Sequence, residues 1–185
     1  MKDTKKLVVA ALMAALTCAA TMVIKIPTPT FGYIHPGDGL VLLCGIVLGP
    51  VGGALAAGIG SMLADVFSGY MSFALGTLII KALTAAIAGL LFRRIRAIRS
   101  GSTGSSYAGI ITGGVAGELF MAAGYLFYET LLAVISGSAL AAAFTASAAG
   151  VIFNIVQGVV GIVLAILLFP VLYQIPNVRA WVTRK

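Results

Sequence analysis

The sequence predicts an all-α membrane protein, a single bundle of six transmembrane helices with both termini in the cytoplasm. Three observations lead to this fold class. Hydrophobic residues make up 61% of the chain and charged residues only 9%, whereas a soluble domain carries roughly a quarter charged residues. Several apolar segments are long enough to cross ~30 Å of hydrocarbon as helices. The basic residues gather at the ends of these segments.

The first apolar segment covers residues 7–26 and follows Lys2, Lys5 and Lys6. This start could belong to a secretory signal peptide, with Cys18 as a lipoprotein cysteine. The residues before Cys18 fit a lipoprotein cleavage site poorly, and the apolar run is long enough to span a bilayer. We therefore interpret it as the first transmembrane helix.

The basic clusters decide the predicted topology. They lie within residues 2–6, 93–99 and 179–185, and the positive-inside rule places all three in the cytoplasm. An even number of crossings must therefore separate the first cluster from the second. This condition makes the apolar segments 39–48 and 51–67 two crossings rather than one kinked helix.

These two segments are predicted to turn at Gly49-Pro50, because proline ends one helix and can begin the next. Segment 39–48 is too short to span the bilayer unless it begins in the preceding loop or the bilayer is thinned there. The three remaining crossings are predicted at residues 75–92, 107–135 and 144–173.

One membrane domain, residues 1–185, is expected, with halves 1–99 and 107–185 joined by a Gly/Ser linker at 100–106. Outside the membrane lie loops 27–37, 68–74 and 136–143. The first of these loops is rich in proline, glycine and aromatic residues, and we expect it to be an ordered turn.

Strongly polar side chains concentrate in the outer half of the predicted bundle. Because such groups are costly in lipid, they usually face a protein interior or a wet cavity. We therefore expect a cavity that opens to the outside and binds a small polar, aromatic ligand. The candidate ligand-binding residues are Tyr33, His35, Glu118, Tyr125, Tyr128, Glu129, Asn154 and Gln157.

Helical spacing supports this set. Glu118, Tyr125 and Glu129 are seven and four residues apart, which places them on one helix face. Asn154 and Gln157 share a face of the last predicted crossing. Glu118 is expected near the middle of the membrane, where no unassigned basic residue can neutralise it, and this favours a role in binding.

Structural roles remain open for several polar residues. Asp38 follows Pro36-Gly37 and is expected to be a helix N-cap. Asp65 and Lys81 are expected to pair at similar depth on adjacent helices. For the other candidates, the alternative to ligand binding is a role in helix packing, in a loop or at the membrane interface. These candidates are His35, Tyr125, Tyr128, Asn154 and Gln157.

The first predicted helix has a smooth face of small residues. Ala11, Ala15 and Ala19 recur every four residues, a pattern suited to close contact with another helix. The pattern favours a partner-binding face, and packing within the same bundle is the alternative.

The chain resembles the substrate-binding S components of energy-coupling factor (ECF) vitamin transporters. The similarity covers most of the chain. It is carried by the sequences Gly32-Tyr33-Ile34-His35-Pro36-Gly37-Asp38, Leu48-Gly49-Pro50-Val51-Gly52-Gly53-Ala54-Leu55, Gly58-Ile59-Gly60-Ser61-Met62-Leu63-Ala64-Asp65, Thr77-Leu78-Ile79-Ile80-Lys81-Ala82 and Asn154-Ile155-Val156-Gln157-Gly158.

This resemblance implies a high-affinity vitamin-binding subunit of a prokaryotic cell-membrane importer, without a cofactor or an ATPase of its own. It implies that the alanine face of the first helix docks onto a transmembrane T component, which two cytoplasmic ATPases drive. The closest similarity is to members that handle hydroxymethylpyrimidine or vitamin B6-like rings, with riboflavin as the alternative.

Other functional classes were weighed against this one. An intramembrane zinc protease needs a His-Glu-x-x-His motif, and the chain has one histidine. A small channel or exporter remains an alternative. The net charge of +7 reflects basic residues that flank membrane segments, so nucleic acid is not an expected partner, whereas membrane lipid is.

Overall fold

The structure is a computed structural model that describes residues 2–28, 33–99 and 102–183. Its helices, in chain order, are α1 (Lys2–Val23), α2 (Asp38–Leu48), α3 (Pro50–Phe67), α4 (Met71–Ile98), α5 (Thr103–Ile135), α6 (Leu140–Tyr173) and α7 (Pro176–Thr183). Between α1 and α2, the short strands β1 (Ile26–Pro27) and β2 (Tyr33–Ile34) pair antiparallel.

The predicted all-helical membrane class is confirmed. Within the described residues, α1 and α3 to α6 are long and apolar enough to cross a membrane. With 11 residues, α2 is about 16 Å long, which is shorter than the hydrocarbon layer. The count of six crossings and the cytoplasmic position of both termini therefore stay predictions.

The predicted turn between α2 and α3 is present. Helix α2 ends at Leu48 and α3 begins at Pro50. Gly49 between them has a φ of +85°, a conformation that glycine adopts without steric penalty. Proline at the first helical position needs no hydrogen-bond partner for a backbone N–H.

Two features near the predicted cytoplasmic side differ from the sequence prediction. Helix α5 begins at Thr103, and the Ser102 hydroxyl accepts a hydrogen bond from the backbone N–H of Ser105. Part of the predicted 100–106 linker is therefore the first turn of α5, while residues 100 and 101 lie outside the described residues. Helix α7 was not predicted, because eight residues are too few for a clear periodic pattern.

Helix α2 lies at the centre of the bundle. Every residue of α2 except Leu40 is buried, as expected for a helix that is apolar on all sides. It contacts α1, α3, α4 and α6, while α3 packs on α1 and α4, and α5 packs between α4 and α6. Helix α7 covers one end of α2 and buries Val178 and Val182.

Glycines bring α2 very close to its neighbours. A Cβ at Gly45 would overlap the Ala85 carbonyl oxygen on α4, and one at Gly89 would overlap the Gly45 carbonyl oxygen. On α3, a Cβ at Gly53 would lie 2.5 Å from the Cys44 carbonyl oxygen. Backbone rather than flexible side chain blocks each position, so the helices themselves would have to move.

We expect Gly45→Ala to lower the free energy of unfolding by at least about 1–3 kcal/mol, the usual range for overpacking. Gly104→Ala is the matched control, since a Cβ there meets nothing within 4 Å. Thermal unfolding of both variants in the same detergent measures the effect. Equal melting temperatures for the two variants would contradict the close α2–α4 packing.

Candidate ligand-binding site

A buried cluster of three polar residues joins α2, α4 and α6. Lys81 Nζ donates to Asp38 Oδ1 at 2.5 Å, and Gln157 Nε2 donates to Asp38 Oδ2 at 2.6 Å. The Lys81 and Asp38 side chains are both 0% exposed. We call Asp38, Lys81 and Gln157 the floor cluster, because Gln157 lines the base of the cavity described below.

This arrangement corrects two sequence predictions. Asp38 is not the N-cap of α2: Gly37 holds that position, and no side-chain capping bond is present. Lys81 forms its ion pair with Asp38 rather than with Asp65. Asp38 still lies in the first turn of α2, where the helix dipole stabilises a carboxylate. Lys81 is neutralised where burial of a lone charge would be costly.

The floor cluster has further contacts. Lys81 Nζ also lies 2.8 Å from Met121 Sδ and 5.4 Å from the centroid of the Tyr125 ring, a geometry that permits a cation–π interaction. The backbone N–H of His35 donates to Gln157 Oε1 at 2.8 Å. Gln157 therefore connects the segment before α2 to the buried ion pair.

A narrow polar cavity lies above the floor cluster. Its volume is about 30 Å3, enough for one or two water molecules. Two buried polar atoms in its wall, Thr21 Oγ1 and Asp65 Oδ2, have no hydrogen-bond partner among the described residues. Buried polar atoms are normally satisfied, so these two are available to a bound ligand or water. The wall consists of Thr21, Thr28, Tyr33, His35, Asp65, Phe73, Thr77, Tyr125, Glu129, Gly150, Asn154 and Gln157.

Residues 33–35, in and directly after β2, close one side of this cavity. Tyr33 donates to Asp65 Oδ1 at 2.7 Å, and burial together with the Asp65 charge raises the pKa of the Tyr33 phenol. The phenol therefore stays protonated and keeps its role as donor. The Tyr33 ring lies 4.6 Å from that of Tyr70, and Tyr70 in turn packs edge-on against Phe73.

His35 contributes a neutral ring to the same wall. Burial lowers its pKa to about 4, from 6.5. Its Nδ1 accepts a hydrogen bond from the backbone N–H of Gly37 at 3.1 Å, so the single ring proton is on Nε2. The stability gained from this neutral ring is present above pH 6.5 and is lost as the pH falls toward 4.

The structure brings six of the eight predicted ligand-binding residues to the cavity wall: Tyr33, His35, Tyr125, Glu129, Asn154 and Gln157. Tyr128 instead donates to the Ser72 carbonyl oxygen at 2.7 Å and lines a groove between α4 and α5. Glu118 lies beside Gly158 of α6 and is not part of the wall.

Sequence reasoning missed part of the wall, above all Asp65. The sequence prediction paired Asp65 with Lys81, a role that Asp38 has in the structure. The sequence feature that could have indicated Asp65 is Tyr33 in the first outer loop, because the hydroxyl group of a buried tyrosine needs a hydrogen-bond acceptor. Small hydroxyl residues such as Thr21 and Thr77 gave no such signal, because they are common throughout membrane helices.

The alanine face of α1 is not covered by the rest of the bundle. Ala11, Ala15 and Ala19 are all exposed. Ala11 and Ala15 line an apolar groove of about 650 Å3 between α1 and α3, which we call the alanine groove; its wall also includes Ala10, Ala14, Leu48, Gly52, Leu55, Ala56, Ile59 and Leu63. Ala19 lies outside this groove.

These features define a multi-pass membrane protein with a polar cavity between its helices and an uncovered small-residue face on α1. The chain belongs to the S components of ECF-type riboflavin transporters, since the model of that family matches residues 1–174. Members of this family are substrate-binding transport subunits for vitamin uptake, and they work with a T component and ATPases.

Two further comparisons agree in part. The solved S component of a bacterial ECF transporter has the same fold, with a TM-score of 0.65 over 93% of this chain and 97% of that chain. Its identity of 22% limits this likeness to the fold. A Pyrococcus woesei protein, named only as an uncharacterized protein in a gap 3' region, is 39% identical over 107 residues. The match spans 57% of this chain and 66% of that protein, slightly less than two thirds of its length.

Proposed function

We propose that this chain binds riboflavin in the cavity above the floor cluster and passes it to a T component for import. Riboflavin is chosen because residues 1–174 match the family of riboflavin-transporter S components. This match favours riboflavin over hydroxymethylpyrimidine or a vitamin B6-like ring, the first choice from sequence.

The composition of the cavity wall supports this ligand. Riboflavin combines a flat fused ring with a hydroxylated side chain. Aromatic rings of Tyr33, Phe73 and Tyr125 can contact the flat ring. Asp65, whose Oδ2 has no described partner, can accept from hydroxyl groups, and Asn154 can both donate and accept. Charge-assisted bonds to a carboxylate are the stronger kind.

The size of the cavity implies movement on binding. A drug-sized ligand occupies a pocket of roughly 300–1,000 Å3, far more than the about 30 Å3 present. We infer that the segment around β2 moves to admit the ligand. Two hydrogen bonds hold that segment across the cavity, from Tyr33 to Asp65 and from His35 to Gln157.

Mass spectrometry of the small molecules released from purified protein tests the choice of ligand. Riboflavin or a close flavin is the expected product. Release of a pyrimidine or pyridine vitamin would instead establish the alternative ligand. A protein that carries no vitamin and binds none when riboflavin is added, while conducting ions as a self-assembled oligomer, would support the channel alternative.

Asn154→Leu should weaken riboflavin binding about tenfold, because loss of one ligand hydrogen bond in a buried site costs about 1.5 kcal/mol. Asn154 has no side-chain hydrogen bond within the described chain that the change would break. Thr145→Val is the matched control, since Thr145 is exposed on the same helix and its hydroxyl donates to the Ala141 carbonyl oxygen one turn earlier. Isothermal titration with riboflavin measures both variants, and equal affinities would remove Asn154 from the site.

Roles for Glu118 and Tyr128 as direct ligand contacts stay predictions, since both lie outside the cavity wall. We also propose that the alanine groove receives a helix of the T component. The exposure of Ala11 and Ala15 supports this, because small residues let two helix backbones approach closely in lipid.

A further inference from the structure

Beneath the cavity, a second carboxyl group lies against the floor cluster. Glu118 is 6% exposed, and neither of its oxygens has a hydrogen-bond partner among the described residues. The Asp38 carboxyl and the Lys81 ammonium group are both close enough to interact with it electrostatically. Two carboxyl groups therefore lie near one ammonium group in the buried interior of the bundle.

Helix α6 makes this close approach possible. A Cβ at Gly158 would lie 2.8 Å from Glu118 Cβ, and one at Gly161 would lie 2.8 Å from Asp38 Cβ. The two glycines are three residues apart on one face of α6. They therefore leave room for both acidic side chains beside the α6 backbone.

The charge balance decides the state of Glu118. Asp38 and Lys81 neutralise each other through their ion pair. An ionised Glu118 would be a third, uncompensated charge next to a carboxylate, and burial of such a charge is strongly unfavourable. A protonated Glu118 has one donor, and an Asp38 oxygen retains a lone pair that can accept it.

We propose that Glu118 holds one proton in the ligand-free protein and donates it in a hydrogen bond to Asp38, which makes this a buried proton-binding site beneath the ligand cavity. The four groups Asp38, Lys81, Gln157 and Glu118 then carry no net charge. Gln157 connects the proton site to the cavity, because it bonds Asp38 on one side and lines the cavity on the other.

The surroundings contain few competing titratable groups. Asp38 on α2 and Lys81 on α4 face Glu118. The part of α6 against it presents Gln157 and glycines, which do not titrate. His35 faces Asp38 from the preceding segment and is neutral above pH 6.5. Tyr125 and Glu129 lie further along α5 and line the cavity instead.

Infrared spectroscopy of the full-length, ligand-free protein in lipid nanodiscs tests the proposal. At neutral pH we expect a protonated-carboxyl C=O band that is lost in Glu118→Gln and kept in the matched control Glu129→Gln. Absence of the band from the unchanged protein, or its persistence in Glu118→Gln, would overturn the proposal. No ligand is needed, so this result does not depend on the proposed function.

Stability measured against pH gives a second readout. Since the folded protein would hold a proton that the unfolded chain releases, its melting temperature should fall as the pH rises from neutral to mildly alkaline. Glu118→Gln should fold and should reduce this fall, because glutamine keeps the shape and a donor without ionising. Failure of Glu118→Gln to fold, or an unchanged pH dependence, would contradict a neutral Glu118.

Discussion

Lys81→Met should lower the free energy of unfolding by about 3–5 kcal/mol, the range for loss of one partner from a buried ion pair. The change leaves the buried Asp38 carboxylate without the cation that balances its charge. Methionine retains much of the length and the packing of the lysine stem, so the effect reports mainly the lost charge. Denaturation in a fixed detergent measures it.

Two comparisons identify the cause of that loss. Lys25→Met is the matched control, because Lys25 is exposed, donates to Ser68 Oγ and lies 5.8 Å from the centroid of the Tyr33 ring; we expect a change within about 0.5 kcal/mol. The double variant Lys81→Met with Asp38→Asn should be more stable than Lys81→Met alone, since it also removes the stranded carboxylate. Additive losses in the double variant would contradict a buried Asp38–Lys81 pair.

Ala15→Trp should abolish vitamin uptake by the assembled transporter while the isolated chain still binds vitamin. The bulky ring would occupy the alanine groove and hold the docking helix of the T component away. Ala15 is exposed and is not part of the cavity wall, so ligand binding should not change. Uptake in cells and riboflavin titration of the purified chain measure the two properties separately.

Leu16→Trp is the control for Ala15→Trp. Leu16 is 46% exposed but lies outside the alanine groove, so the same bulk is placed on another face of α1. Uptake should survive in this variant. If Ala15→Trp instead reduces ligand binding as much as uptake, Ala15 has a packing role within the bundle rather than a docking role.

The helical fold could be predicted from sequence because lipid requires long apolar segments, and these are visible without knowledge of contacts. The α2–α3 boundary was also predictable, since Gly49 and Pro50 act locally on the backbone. Helix α7 could not be predicted in the same way. Its burial depends on Val178 and Val182 reaching α2, which is distant in the sequence.

The candidate site was predictable in its depth but not in its pairings. Outer-half clustering predicted a shared cavity, and six of the predicted residues line one cavity wall, because depth follows from position along each helix. Which acid pairs with Lys81 depends on how helices rotate about their axes, and sequence spacing does not fix that rotation between helices. Lys81 therefore pairs with Asp38 instead of the predicted Asp65. Glu118 lies beneath the cavity instead of in its wall.

Equilibrium titration of the purified full-length chain in nanodiscs with riboflavin, followed by quenching of flavin fluorescence, tests the central claim most directly. A vitamin-binding S component of this family should give saturable binding of one riboflavin per chain, and excess unlabelled hydroxymethylpyrimidine or pyridoxine should not displace it. Absence of saturable quenching from a folded protein, or displacement by either competitor, would contradict riboflavin as the ligand of this cavity.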